Sequence, residues 1–235
     1  MKYALSKSLI PIEDLKNNIR EEDYGELNNN WATAIQNAWI NGAKLDGHGV
    51  IWISSKYLHT LLRVNKNLVK YYLAMINKSD SEYITGTEFI SLLSNIFDTA
   101  TTFRKRDYIR YSEKLYILIR DSDKAEVMRA RYNEDLIKKR NKLKGQRIKK
   151  YSIKFDELTG SNLKIRTAEF SHIRSVTLYP DLQLELDNGL IINRNTHEII
   201  TEQGVQNEEE LYELCEKKKW NTNWYEFYKK TFYKI

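Results

Sequence analysis

Two of the four histidines in this 235-residue chain lie in one stretch, "AEFSHIRSVTLYPDLQLELDNGLIINRNTHEIIT", residues 168 to 201. They are His172 and His197, with Asp187-Asn188-Gly189 between them. An imidazole titrates near neutral pH and carries a lone pair, so it can act as a general base or a metal ligand. Two such rings flanked by polar residues have the side chains of a metal-dependent catalytic site. They are also the side chains of a β-hairpin and helix cap that use histidine only for hydrogen bonds.

The elements that must position them are readable. Alternation and β-branching in "AEFSHIRSV" predict a strand through His172. "YPDLQLELDNG" reads as a loop, broken at Pro180 and turned at Asp187-Asn188-Gly189. "LIIN", residues 190 to 193, is a short apolar strand. Asn195 and Thr196 are good N-caps, which puts His197 in the first turn of a helix. The predicted order is strand, loop, strand, helix. Upstream, "YSIKFDELTG" reads as a strand followed by a turn at Thr159-Gly160.

The residues "SHI…LDNGLIINRNTH" resemble the core of the HNH endonucleases, whose compact ββα-metal unit grips one divalent ion. The family pattern runs Asn-Gly, two apolar residues, Leu, Cys, two residues, Cys, His. Here Asn188-Gly189 leads through Leu190, Ile191 and Ile192 to Asn193, Thr196 and His197. "DELTG" resembles the family's knuckle before the first strand, and "EFSHI" its "EVHHI" form. The resemblance covers about 153 to 205. It implies metal-dependent hydrolysis of a phosphodiester in double-stranded DNA, with Mg²⁺ or Mn²⁺ as cofactor. His172 would be the general base. Asn188 would either ligate the metal or hold the loop that orients His172, and His197 would be a metal ligand.

Two departures stand out. Ser171 occupies the position before the base, where the family usually has an Asp or His ligand. Glu169, Asp187 and Glu198 are further donors between which the sequence does not choose. The four positions that carry zinc-binding cysteines in many relatives are Asp156, Thr159, Asn193 and Thr196. Their joint replacement predicts that no structural zinc is bound and that local packing takes its place.

The rest of the chain supplies a context. Its formal charge is +6, its pI about 9.1 and its mean hydropathy −0.63. Residues 129 to 150 hold ten Lys or Arg against two acidic residues, a density suited to phosphate contacts. Lys138, Lys139, Arg140, Lys142, Lys144 and Arg147 are the predicted contacts, and Gly145 is read as the end of their helix. Residues 54 to 76 have the outline of a helix-turn-helix, capped at Ser54 or Ser55. Its second helix would present Lys66, Asn67, Lys70 and Tyr71 to a major groove. Thr85 or Thr87 caps the next helix, and "GVIWIS" reads as one strand. Asn207 caps a helix that buries Leu211, Leu214 and Cys215. "WNTNWYEFYKKTFYKI" reads as a helix packing its aromatic face.

The lone Cys215 excludes an internal disulfide and a cysteine cage, and a reducing, cytoplasmic setting is the default. No apolar run is long enough to span a membrane, and the N-terminus is too broken for a secretion signal. The expected architecture is α+β and mainly helical. A helical region over 1–147 is followed by an HNH-like unit with an aromatic, basic C-terminal helix over 148–235. The expected function is a restriction-type or phage-related endonuclease. One site per chain would favour a homodimer on a symmetric target. The rival reading is a non-catalytic DNA-binding regulator, or a protein-binding inhibitor or antirepressor, on a degenerate HNH fold.

Overall fold

A computed structural model of the chain describes residues 8–78 and 81–233. The N-terminal reading through residue 7 and the last two residues of the aromatic tail lie outside them. The chain is α+β and mainly helical, in two compact units that divide between Asn133 and Glu134.

The first unit holds an antiparallel sheet of four short strands: β1 (Ile10–Pro11), β2 (Ala43–Leu45), β3 (Ile51–Ser54) and β4 (Tyr83–Thr85), in that order. Only β3 was predicted. The others are two or three residues long, too short to show an alternating pattern. Six helices belong to this unit: α1 (Lys16–Glu21), α2 (Asn29–Gly42), α3 (Leu58–Leu61), α4 (Lys66–Met75), α5 (Gly86–Thr99) and α6 (Phe103–Arg120). Their starts are chemically marked. The Asn28 side chain caps α2, Asn65 caps α4, Thr102 caps α6, and Thr85 forms a capping box with Glu88 at α5.

Trp39 and Phe89 meet edge to face at 5.2 Å in the core, with Leu58, Leu61, Leu62 and Ile109 fully buried. Each such side chain stabilises the fold by roughly 1.5–3 kcal/mol. α3 and α4 are the predicted helix pair, and Lys66, Asn67, Lys70 and Tyr71 are exposed on α4. α3 is one turn long, and neither Ser54 nor Ser55 caps it. The Ser55 hydroxyl donates instead to the Ser81 carbonyl at 2.7 Å.

α7 (Asp123–Tyr151) runs through the division between the units. The predicted stop at Gly145 is corrected. A glycine inside a helix costs only about 1 kcal/mol, and buried Leu143 and Arg147 anchor the turns on either side of it. The sequence placed the domain boundary near 147; the compact units part fourteen residues earlier, within the helix.

The second unit contains β5 (Glu169–His172), β6 (Gly189–Ile192), α8 (Arg194–Glu202), α9 (Glu208–Lys218) and α10 (Asn223–Phe232). The predicted strand at 151–155 is reduced to one bridge, Phe155 with Asn162, because α7 continues to Tyr151. The cap of α8 is Asn193, two residues before the first predicted cap, Asn195. Leu190, Ile192, Leu211, Leu214, Cys215 and Tyr228 form the core of this unit. Burial pushes the Cys215 thiol up to about 11, the behaviour of a packed, unreactive sulfur. Among the described residues no helix is long and apolar enough to cross a membrane.

Candidate functional site

β5 and β6 pair antiparallel, His172 opposite Gly189 and Glu169 opposite Ile192. The loop between them folds back on itself through Asn188. This side chain is fully buried. Its Oδ1 accepts from the Arg174 N–H at 3.0 Å and the Tyr228 hydroxyl at 3.2 Å. Its Nδ2 donates to the carbonyls of Arg174 at 3.1 Å and Leu182 at 3.2 Å. Every hydrogen-bonding position of the amide is used. Of the two roles offered by the sequence, this geometry is the one that holds the loop.

That loop orients His172. The ring Nε2 lies 3.0 Å from the Gln183 carbonyl. A carbonyl only accepts, so Nε2 carries the hydrogen and the lone pair is on Nδ1. Burial holds His172 below its ordinary value, opposed by the Gln183 carbonyl and reinforced by the neighbouring Arg140 and His197. The ring is therefore neutral at pH 7, with Nδ1 ready to accept a proton.

The Phe170 ring stands edge-on to His172 at 5.0 Å and lies over Gly189. A Cβ at Gly189 would come within 2.2 Å of that ring. The glycine was read as a turn signal. Its backbone is extended, and what requires glycine here is space.

His197 sits in the first turn of α8, and its Nδ1 donates to Glu169 Oε2 at 2.5 Å. The other Glu169 oxygen accepts from Arg194 Nε at 3.2 Å. Ser171 does not join this group. It is 5% exposed, and a buried hydroxyl is a poor ligand for a hydrated ion, so the structure gives no support to its predicted place at the metal.

The groove, of about 390 Å³, is lined by Arg140, Asn141 and Lys144 of α7 and by Glu169, Phe170 and His172 of β5. Arg140 and Lys144, two of the basic residues singled out in the sequence, thus share this groove with His172. Lys144 spends one donor on the Ile165 carbonyl and has two left. Lys138, Lys139 and Lys142 are exposed elsewhere on α7, with Lys138 in a solvated pair with Glu134. Lys66 and Lys70 are exposed on the other unit.

Arg147 is a further correction. It is buried, forks onto Glu157 at 2.9 and 2.8 Å, and donates to the Leu186 carbonyl at 3.0 Å. Its guanidinium is buried and committed to the fold, which takes it away from a phosphate.

The four positions aligned with zinc-binding cysteines converge on one carboxylate. Asp156 is 1% exposed. Its Oδ1 accepts from the N–H groups of Leu158 at 3.0 Å and Thr159 at 2.9 Å. Its Oδ2 accepts from the Asn193 N–H and the Thr196 hydroxyl, both at 2.8 Å. Thr196 was expected to cap α8, but its hydroxyl is spent here.

Sequence reasoning missed two parts of the support. Gln183 acts through its backbone, which no residue type betrays. Arg174 forks onto the fully buried Glu208, 34 positions away, and tethers the loop to α9. Burial works to raise the Glu208 carboxyl, but Arg174 and Tyr233 hold it below its ordinary value.

Among the described residues, no group of three or more His, Cys, Asp or Glu side chains is placed to hold a metal ion. His197 and Glu169 offer one imidazole and one carboxylate. That donor set suits an Mg²⁺-type ion held mainly by water and substrate phosphate, and not a closed zinc cage. No protein-family model, curated protein or solved structure matches the chain.

Proposed function

We propose that the chain is a metal-dependent endonuclease of the HNH type acting on double-stranded DNA, with its site in the second unit. The observation that carries the reading is His172: a neutral imidazole with a fixed ring and a free Nδ1, in a groove walled by Arg140 and Lys144. Nδ1 takes the proton from the water that attacks phosphorus; the P–O bond to the leaving deoxyribose oxygen breaks, and that oxygen takes a proton from solvent. Arg140 and Lys144 bind the phosphate oxygens and keep the water and the phosphodiester in register. Gln183 and Asn188 hold the ring so that little reorganisation is needed as the proton moves. An Mg²⁺ or Mn²⁺ ion bound at His197 would supply Lewis-acid stabilisation of the phosphoryl charge. Lys138, Lys139 and Lys142 extend the positive face for the flanking backbone. Cutting both strands calls for two copies of the chain on a symmetric target.

Supercoiled plasmid incubated with the full chain and Mg²⁺ or Mn²⁺ is the test. Wild type nicks or linearises it, and His172→Ala slows cleavage by about 10²–10⁴-fold. Absence of cleavage by wild type with either ion overturns the nuclease reading. Cleavage that survives His172→Ala overturns the assignment of the base.

A second reading, a DNA-binding regulator without catalysis, is favoured by the exposed Lys66, Asn67, Lys70 and Tyr71 on α4. A gel shift in Ca²⁺ separates it from an inhibitor that binds only protein. The regulator shifts DNA and loses affinity in the Lys66→Ala/Lys70→Ala variant; the inhibitor gives no shift.

A further inference from the structure

We propose that Tyr228 is a positioning residue for His172: its hydroxyl, reaching the β5–β6 loop from α10, fixes through Asn188 the carbonyl that sets the tautomer of the ring. The proposal rests on the reading of His172 as the base and deepens it. It starts from a cost. Tyr228 is fully buried, with its ring against Phe232 at 4.6 Å and Trp224 at 6.5 Å, where a phenylalanine would pack as well. A hydroxyl taken out of water at such a place needs an acceptor. It finds Asn188 Oδ1 at 3.2 Å, 40 positions back along the chain.

The neighbours of Asn188 fix the direction of that bond. Nδ2 faces the carbonyls of Arg174 and Leu182, and Oδ1 faces the Arg174 N–H, so the amide cannot be turned over. Oδ1 only accepts, and the Tyr228 hydroxyl donates. Arg174 and Leu182 belong to the β5–β6 loop and move with it. Among the described residues Tyr228 is the one partner of this amide from outside the loop. Without it Asn188 ties the loop only to itself; with it the loop is held against α10. The Leu182 carbonyl that Asn188 grips is one residue before the Gln183 carbonyl, which lies 3.0 Å from His172 Nε2. A second tie runs beside the first. Arg174 forks onto Glu208 of α9 and donates to the Tyr233 hydroxyl at 3.0 Å. That tie holds a guanidinium near the start of the loop, whereas Tyr228 reaches the amide that grips Leu182.

The test is Tyr228→Phe in the full chain, which removes the hydroxyl and keeps the ring. Phe232→Leu, on the same helix, is the control: it trims the ring packed on Tyr228 and leaves the hydroxyl in place. In wild type, ¹⁵N NMR of the neutral His172 ring shows hydrogen on Nε2 and none on Nδ1. In Tyr228→Phe that preference is lost, and in Phe232→Leu it is kept. Plasmid cleavage by Tyr228→Phe falls about 10-fold, less than the roughly 10²-fold that a misplacement of one ångström can cost. A wild-type ring with its hydrogen on Nδ1 overturns the proposal, as does an unchanged tautomer in Tyr228→Phe. An equal shift in Phe232→Leu also overturns it, since α10 would then act by packing alone. So does unchanged cleavage by Tyr228→Phe when wild type cuts DNA. If wild type does not cut DNA, the nuclease reading falls instead, and the tautomer measurement still decides whether Tyr228 sets the ring.

Discussion

The second unit contains two polar clusters that share a helix, and they differ in what they leave open. Around Asp156 both carboxylate oxygens are filled, by four donors drawn from residues 158 to 196, and the side chain is sealed from water. Around His172 and His197 each ring has one nitrogen tied and one that makes no hydrogen bond among the described residues, and His172 borders a groove. Thr196 belongs to the first cluster and its neighbour His197 to the second. A polar group whose bonds are all made inside the protein contributes stability. One that keeps an open valence beside solvent is available for chemistry. The same distinction sorts Asn188 and Arg147 into the scaffold and leaves Arg140 and Lys144 at the groove.

The contrast breaks most sharply at Asp156. Replacement by alanine strands four donors in a buried site and is expected to cost about 3 kcal/mol or more in urea unfolding. EDTA should leave the unfolding midpoint of the wild type unchanged, because hydrogen bonds tie this knot. A midpoint that drops with the chelator would show that a metal shares the work.

A smaller effect is expected at Gly189, which faces His172 across the β5–β6 pair. In Gly189→Ala the new methyl group drives into the Phe170 ring, at an overpacking cost of about 1–3 kcal/mol. Phe170 stands against His172, so plasmid cleavage should fall by more than the stability loss explains. A variant that is destabilised but cleaves at the wild-type rate would detach Phe170 from the site.

The gentlest probe is pH. His172 is held below its ordinary value of about 6.5, chiefly by burial, with Arg140 and His197 adding to the effect. The folded state therefore resists the proton that the unfolded chain would bind. The stability from a neutral His172 is complete above about pH 6.5. It is lost as pH falls through the folded value. NMR titration of the metal-free protein should give a midpoint below that of free histidine, and Arg140→Ala should move it upward. A midpoint that ignores Arg140 would remove that residue from the neighbourhood of the ring.

Much of this was written locally. The strand-loop-strand-helix order of residues 169 to 202 follows from alternation, Pro180 and a β-branched run, and β5, β6 and α8 formed where those signals stand. The caps at Thr85 and Asn207 are equally local. The failures share a cause. Gly145 carries a helix-stop signal worth about 1 kcal/mol, and the burial of Leu143 and Arg147 outweighs it. Thr196 has the side chain of a cap, but its hydroxyl found a carboxylate 40 residues upstream. Arg147 looks like any other base in a basic run until Glu157 and Leu186 close around it.

By itself the sequence determined where most of the helices and the β5–β6 pair lie, because period and capping chemistry act within a turn or two of the chain. It determined also that two histidines and a run of basic residues are available. Which valences stay open was decided only by the tertiary structure. The Gln183 carbonyl chooses the nitrogen that His172 keeps free, Glu169 chooses the one that His197 keeps free, and α7 brings Arg140 and Lys144 to β5. Such choices depend on partners tens of residues away, and no local pattern records them.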